Sequence, residues 1–403
     1  MATEEKKQNG GLKIAAAVVA TVVGVVALAG HGPFEHGFEE HMPRILISDT
    51  KLFKLAKNSR VKYSTLSGHH QRKLFTQFQE DFGKTYKGAK EEKARLAHFK
   101  DFLEIVDERN AEEVAAGGEA LHGITKFADL SQGEFEETYL GSSVMIKEKN
   151  LIDTGAKEGS VNELTKEGKE SKDWTGIYTT NVNDQGACGS SWAFAAVEQI
   201  ESDAVREGLL DVKEAKLSVQ QAVSCNTEEG QNGCEGGYMF NTFNFAAATG
   251  GLATYADYTY VSGTTGGAET CNKQESVVSA VTVKEGLYFY NAENKMQDYV
   301  LTTGPLASSV SARRWNTYVS GTMMASACAD WDKYQAWHSV QVTGVDLGKG
   351  YWKVRNSWGA DWGEDGYIYL QTDATATTNT CGIASFSAYS DVEPSASKSQ
   401  PKN

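Results

Sequence analysis

The spacing of apolar residues predicts two helices in the first half of the chain. In each helix they recur at three- and four-residue steps, which places them on one helical face. These residues are Phe75, Phe78 and Phe82 in the first helix, and Leu96, Phe99, Leu103 and Val106 in the second. The pattern predicts a small helical domain over residues 73–140. The Glu-, Lys-, Gly- and Ser-rich stretch 141–172 that follows is typical of a linker.

A second pattern joins a glycine-punctuated loop to a helix. Gly186 and Gly189 interrupt the loop, because glycine permits backbone angles that other residues avoid. Ser190 is the predicted N-cap, and the apolar residues after it share one helical face: Trp192, Phe194, Val197 and Ile200. Ser191 is therefore expected at a helix N-terminus, where free N–H groups and the helix dipole favour a developing negative charge. This position suits a nucleophile.

Alternating, β-branched positions predict strands in the C-terminal third. Residues 336–342 form one such run, and it carries His338, the only histidine after residue 122. A lone histidine on a strand is most often structural. The tryptophan-rich block 351–363 comes next. A core strand would explain its tryptophans, but it would not explain a buried Asn356.

The two ends of the chain differ from its interior. Residues 14–30 carry no charge, and a helix of this length spans roughly 25 Å of a bilayer core of about 30 Å. Residues 1–30 therefore predict either a signal peptide or a signal anchor, a membrane anchor in the second case. Both would deliver the chain to the secretory pathway, to a lysosome-like or vacuolar lumen or to the cell exterior. Residues 31–72 predict a solvated linker, and residues 391–403 a disordered tail.

Charge and cysteine content restrict the class of protein. The net charge of −14 argues against nucleic acid and against an anionic membrane surface as partners. All six cysteines lie between Cys188 and Cys381, and an even number in an exported chain predicts disulfides, with fifteen pairings open. Because no two cysteines are spaced C-x2-C and only one histidine lies in that half, we expect no zinc or other metal, and no cofactor.

The loop before the predicted helix closely resembles the nucleophile segment of papain-like cysteine peptidases. It reads NDQGACGSSWAF over residues 183–194, and Ser191 stands where that family has its catalytic cysteine. The resemblance implies a papain-like α+β fold with a helical lobe, a β-barrel-like lobe and a cleft between them, over residues 173–390. It also implies a monomer that hydrolyses peptide bonds in a peptide or protein substrate.

The resemblance assigns catalytic roles. His338 lies 147 residues after Ser191, within the roughly 130–150 residues that separate the family's nucleophile and histidine. Asn356, in an Asn-Ser-Trp-Gly block, would orient the imidazole, and Trp358 would shield that hydrogen bond from water. The side-chain amide of Gln185 and the Ser191 N–H would stabilise the oxyanion formed in acyl transfer.

Further positions correspond to the family's substrate cleft. Gly236 and Gly237 would let an extended substrate backbone approach closely. Tyr238 and Met239 would line the neighbouring side-chain pocket, with Phe386 at its base favouring smaller substrate side chains. The family's disulfides would be Cys188–Cys234, Cys225–Cys271 and Cys328–Cys381.

The helical unit resembles the inhibitor prodomain of cathepsin-L-type relatives. The matching residues are Glu91, Arg95, Phe99 and Asn110 in the long helix, and Gly123, Phe127 and Asp129 after it. Phe102 and Thr125 replace asparagines of the family pattern. The resemblance implies a zymogen that its own prodomain inhibits, with activation by cleavage within residues 141–172.

Serine at position 191 changes the expected chemistry. A helix terminus and a histidine lower a thiol pKa from about 8.5 to roughly 3–4, but the same shift leaves an alcohol protonated. Three interpretations follow: an inactive or nearly inactive peptide-binding protein, a serine-nucleophile hydrolase or silicatein-like catalyst, and a cysteine peptidase whose nucleophile has been replaced. Trp192 keeps the peptidase form, which argues against a silicatein.

Overall fold

A computed structural model describes residues 62–141, 156–161, 170–272, 281–333, 337–373 and 375–395. The predicted signal or anchor segment lies outside these ranges, and within them no helix has the length and apolar character to cross a bilayer. The α-helices are Gly68–Asp81 (α1), Ala89–Ala115 (α2), Gln132–Phe135 (α3), Ser191–Arg206 (α4), Val219–Cys225 (α5), Met239–Thr249 (α6), Ser262–Thr265 (α7) and Glu293–Thr302 (α8). A π-helical turn, Glu136–Leu140, continues α3. Short 3-10 turns span Tyr63–Thr65, Gly233–Glu235, Trp315–Thr317, Ala325–Cys328 and Thr380–Gly382.

The described strands form one small and one large sheet. Their bounds are Leu121–His122 (β1), Lys157–Glu158 (β2), Ser171–Asp173 (β3), Val281–Tyr290 (β4), Leu306–Ser311 (β5), Tyr318–Ser320 (β6), Thr322–Met323 (β7), Trp337–Asp346 (β8), Tyr351–Arg355 (β9), Tyr367–Gln371 (β10) and Phe386–Pro394 (β11). The large sheet has the order β2-β4-β11-β5-β8-β9-β10-β7, and β3 pairs with β8. β8 lies near its centre and pairs antiparallel with β5 and β9, with His338 opposite Val310.

The predicted helical domain is held together by aromatic packing between α1 and α2. The ring of Phe99 on α2 lies 5.3 Å from each of Phe75 and Phe78 on α1, measured between centroids, and all three are buried. The unit begins earlier than the sequence predicted. Tyr63 is buried in the same core, and its N–H donates to Asp107 of α2 at 2.8 Å. The linker predicted over 31–72 therefore ends before Tyr63.

Two other predicted boundaries differ from the structure. β2 lies within the stretch 141–172, for which the sequence predicts a linker, and β3 begins at its end; β2 pairs parallel with β4. β11 continues to Pro394, so the strand enters the predicted tail 391–403. Val392 explains this extension because its side chain is buried against the helical lobe.

The helix α4 is enclosed by both lobes. It packs against α6 on one side and against β5, β8 and β11 on the other, and every residue from Ser191 to Ala204 is buried. The sequence predicted one apolar face, and that prediction is too narrow. Small residues such as Ala193 and Ala196 allow close approach, and the polar residues of the helix find partners inside the protein.

Three disulfides link the described residues. They are Cys188–Cys234, Cys225–Cys271 and Cys328–Cys381, the pairs that the family resemblance implies. The first holds the loop before α4 against the loop that carries Gly236. The N–H of Gly189 donates to the carbonyl of Cys234 at 2.8 Å in the same place.

Candidate active site

Ser191 is the first residue of α4. Its Oγ accepts a hydrogen bond from the backbone N–H of Ser339 on β8 at 3.2 Å, so it lies at the junction of the two lobes. Ser190 occupies the predicted N-cap position, but its hydroxyl makes no capping hydrogen bond to the helix. It bonds the hydroxyl of Tyr260 at 2.8 Å, and Tyr260 donates to the carbonyl of Gln185 at 2.8 Å. Tyr260 thus links both ends of the loop.

His338 and Asn356 form a buried pair. Nε2 of His338 lies 2.7 Å from Oδ1 of Asn356, and neither residue is exposed. Oδ1 also accepts the N–H of Ser357 at 2.8 Å, which identifies it as the acceptor and the imidazole Nε2–H as the donor. In the neutral ring the lone pair is then on Nδ1, which makes no hydrogen bond within the described residues.

Burial sets the protonation of this histidine. Removal from water lowers the pKa of His338 to about 4, and the hydrogen bond that its Nε2–H donates to Asn356 opposes that shift only in part. The indole ring of Trp358 lies 4.8 Å from the imidazole, centroid to centroid, and is itself fully buried. His338 is therefore neutral in this closed form of the chain.

The amide of Gln185 is directed at a carbonyl oxygen of the N-terminal helical domain. Its Nε2 donates to the backbone carbonyl of Tyr139 at 2.9 Å and to that of Cys188 at 2.8 Å. Its Oε1 accepts the hydroxyl of Ser357 at 2.7 Å, which fixes the orientation of the amide. The carbonyl of Tyr139 thus accepts a hydrogen bond from the same amide N–H that an acyl oxyanion would require.

The backbone directly after the helical domain then passes between glycines of the region 173–390. A Cβ atom on Gly141 would lie 3.0 Å from the carbonyl oxygen of Glu235 and 3.1 Å from Cα of Gly236, so only glycine passes here without displacement. Gly236 has φ 121°, which favours glycine as well. Gly237 has another reason to be glycine, because a Cβ there would lie 2.8 Å from the indole of Trp192.

The predicted pocket residues lie beside this strip. Tyr238 is the partly exposed N-cap residue of α6, and Met239 is the buried first residue of that helix. Phe386 begins β11 and is 1% exposed, with its ring 6.0 Å from Phe240 and 6.2 Å from Tyr288. Phe386 is therefore a core residue of the helical lobe.

A buried charge cluster behind the site was not predicted. Nη2 of Arg355, the neighbour of Asn356, lies 3.1 Å from Glu198 of α4, and Nη1 donates to the carbonyl of Thr180 at 2.8 Å. Glu201 accepts the hydroxyl of Thr180 at 2.8 Å, and its burial raises its pKa to about 7. The signal available in the sequence is the placement of Glu198, Glu201 and Asp203 among the apolar residues of this helix.

Comparisons with known proteins agree with this architecture. The family model described as papain family cysteine protease matches residues 169–390, and that of the cathepsin propeptide inhibitor domain (I29) matches residues 75–135. A cathepsin L-like proteinase from Phaedon cochleariae is 33% identical over 323 residues, 78% of this chain and 92% of that protein. The thiol protease aleurain from Arabidopsis thaliana is 30% identical over 381 residues, 92% of this chain and 98% of that protein.

Solved zymogens share the fold. The structure of digestive procathepsin L2 from the larval midgut of Tenebrio molitor has a TM-score of 0.67 at 27% identity, covering 79% of this chain and 99% of that one. A recombinant stem bromelain precursor has a TM-score of 0.63 at 28% identity, covering 80% and 98%. The chain therefore belongs to the papain family of cysteine proteases and is built as a zymogen, with a cathepsin-type inhibitor propeptide preceding a papain-like α+β peptidase domain.

Proposed function

We propose that this chain is a papain-type endopeptidase zymogen whose hydrolysis of peptide bonds is weak or absent while Ser191 holds the nucleophile position. One observation carries the proposal: the amide of Gln185 binds a peptide carbonyl directly beside the buried His338–Asn356 pair. A peptide carbonyl bound by the proposed oxyanion donor supports acyl transfer as the reaction of this site. Peptides and proteins are the proposed substrates.

The serine limits the rate of that reaction. Its alcohol must pass a proton to Nδ1 of His338 during attack on the substrate carbonyl, since no anion exists beforehand. The resulting imidazolium has the neutral amide of Asn356 as its partner, and an amide stabilises it less than an aspartate would. A deficit of a few kcal/mol in the barrier corresponds to about a hundredfold or more in rate.

A slow serine-nucleophile hydrolase is the second candidate function. Gln185, His338 and Asn356 are all in hydrogen-bonded positions, so the groups that a Ser–His mechanism requires are present. A non-catalytic peptide-binding protein could use Gln185 to bind a peptide carbonyl, but it would need neither His338 nor Asn356. Retention of His338 in a buried, neutral form with an open Nδ1 favours the hydrolase over the purely binding form.

We further propose that the chain acts within the secretory pathway, in a vacuolar or lysosome-like lumen or outside the cell. Its three disulfides support this placement, because disulfides persist in oxidising compartments. A signal peptide or signal anchor over residues 1–30 stays a prediction.

The test compares Ser191 with Ser191→Cys and Ser191→Ala. Each full-length chain is folded, processed by an added peptidase within residues 141–172, and assayed with a fluorogenic peptide. Cysteine is expected to raise turnover at least a hundredfold over serine. A serine form that exceeds alanine and reacts with a serine-directed phosphonate supports the hydrolase. A cysteine form as inert as alanine would overturn the proposal.

A further inference from the structure

The loop after α2, which carries the prodomain residues Gly123, Phe127 and Asp129, places the side chain of Lys126 against the peptidase region. Nζ of Lys126 donates to Oδ2 of Asp184 at 2.7 Å and to the backbone carbonyl of Trp358 at 2.6 Å, and it lies 3.6 Å from Oδ1 of Asp361. All three partners belong to the peptidase region, and Lys126 belongs to the prodomain. An ammonium group is therefore bound in a site made entirely by the other domain.

Contacts within the peptidase region help to shape this site. A Cβ on Gly359, which has φ +77°, would lie 2.7 Å from Oδ1 of Asp361 and 2.9 Å from Oδ2 of Asp184, so the missing side chain lets both carboxylates converge. The N–H of Gly186 donates to Oδ1 of Asp184 at 2.8 Å and holds that side chain in place. The N–H of Gly359 also donates to the carbonyl of Asn183 at 2.9 Å, which joins the two loops.

The position of the site relative to a substrate follows from the chemistry. In acyl transfer His338 must protonate the leaving amine, so the part of the substrate after the scissile bond lies on the side of His338. Trp358 packs on the His338 ring, and its carbonyl is one of the three groups around the ammonium. The prodomain leaves the carbonyl site in the other direction, with Gly141 beside Gly236.

We propose that Asp184, Asp361 and the Trp358 carbonyl form a cation subsite that selects substrates with a lysine or arginine on the leaving-group side of the scissile bond. Lys126 is the intramolecular occupant of the subsite, and its departure with the propeptide opens it. This inference rests on the proposed function. Asp184 and Asp361 are 45% and 57% exposed, so the expected selectivity is modest, about three- to tenfold.

The experiment uses Ser191→Cys as the working enzyme, folded as the full chain and then processed. Donor–quencher peptides differ only in having lysine or norleucine at the first, second or third position after the cleaved bond. Norleucine keeps the four-carbon chain and lacks the ammonium, so the lysine/norleucine ratio of kcat/KM isolates the charge. The ratio is measured within each variant, so changes in basal activity cancel.

The key variant is Asp184→Asn with Asp361→Asn, and Asp211→Asn is its matched control. Asp211 is exposed, and its Oδ1 accepts the N–H of Lys213 at 2.8 Å in the same local turn that Asp184 makes with Gly186. We expect a ratio of about three to ten at one position in the parent and in the control, near one in the double variant, and reduced in about 0.5 M salt. A ratio near one at every position in the parent, or an unchanged ratio in the double variant, overturns the proposal.

Failure of the proposed function gives a different result. In that case Ser191→Cys cleaves neither the lysine nor the norleucine peptides. The subsite is then decided by dissociation constants of fluorescein-labelled forms of the same peptides. Three- to tenfold tighter binding of the lysine peptide, lost in the double variant, supports it, and equal binding overturns it.

Discussion

Removal of the propeptide is expected to change the protonation of His338. In the closed chain this residue is fully buried, and burial lowers its pKa to about 4. Tyr139 and Gly141 of the prodomain cover the adjoining part of the cleft through their contacts with Gln185 and Gly236. Cleavage and release of the propeptide admit water, and the pKa of His338 should rise towards the ordinary value of about 6.5.

The direction and size of the effect follow from proton linkage. The closed chain binds fewer protons at His338 than the open chain, so acid favours opening. The contribution of neutral His338 to closure is fully present above pH 6.5 and is lost as the pH falls towards 4. At pH 5 the closing equilibrium should be weaker than at neutral pH by about twentyfold, or about 1.8 kcal/mol.

NMR of histidine-labelled protein measures both states. The Ser191 chain is titrated intact, with His338→Gln assigning the resonance, and then titrated again after processing and removal of the propeptide. His338 is the only histidine after residue 122, so the processed protein, without its propeptide, gives a single histidine signal. A pKa near 6.5 in the intact chain, or the same pKa before and after processing, would refute the reasoning.

Three further changes test other contacts. Burial raises the pKa of Glu201 to about 7, so its neutral form contributes stability at acidic pH that is lost as the pH rises through 7. Unfolding of the parent at pH 5 and pH 8 should show this loss of stability, and Glu201→Gln should abolish up to about 3 kcal/mol of it. Arg109→Met removes a guanidinium whose Nη1 donates to Oδ1 of Asn316 at 2.6 Å and to Oγ1 of Thr317 at 2.8 Å. Docking of the propeptide should weaken by about 3 kcal/mol, so an added peptidase should cleave the propeptide faster. Replacing both Cys328 and Cys381 by alanine opens a bridge of sequence separation 53 and should cost roughly 4 kcal/mol in thermal unfolding.

Each of these changes has a control. Glu207→Gln, at the exposed residue directly after α4, should leave the pH dependence of unfolding as it is, and an equal effect of both substitutions would contradict the role of Glu201. Arg109→Lys keeps a donor and should slow cleavage relative to Arg109→Met. Equal cleavage rates for parent and Arg109→Met would show that the buried guanidinium does not hold the prodomain. An unchanged midpoint of thermal unfolding in the variant with alanine at both Cys328 and Cys381 would refute the predicted loss of stability, which rests on loop entropy in the unfolded chain.

The sequence predicted the elements that have local signals. The helical face of Phe75 and Phe78, the helix that starts at Ser191 and the strand that carries His338 all follow from residue spacing. Family resemblance added the positions of Gln185 and Asn356. These features depend on short stretches whose residue types are restricted by one geometry.

Features that depend on contacts far apart in the chain were not predicted. Glu198 and Glu201 have the composition of an exposed helical face, and their partners Arg355 and Thr180 come from other parts of the sequence. The ammonium of Lys126 binds a carbonyl 232 residues away, so no local pattern indicates it. Strand β11 extends past residue 390 because a neighbouring strand, β4, is available to pair with it.

Complete enclosure of α4 has a consequence for motions of the molecule. Amide hydrogens exchange with solvent only when a segment opens, and segments packed on all sides open least often. The amides of α4 should therefore be among the slowest to exchange in the peptidase region, while the loops that carry Asp184 and Gly236 exchange faster. Because Ser191 begins this helix, we expect the two lobes to fluctuate around the cleft while Ser191 stays on an element that moves little.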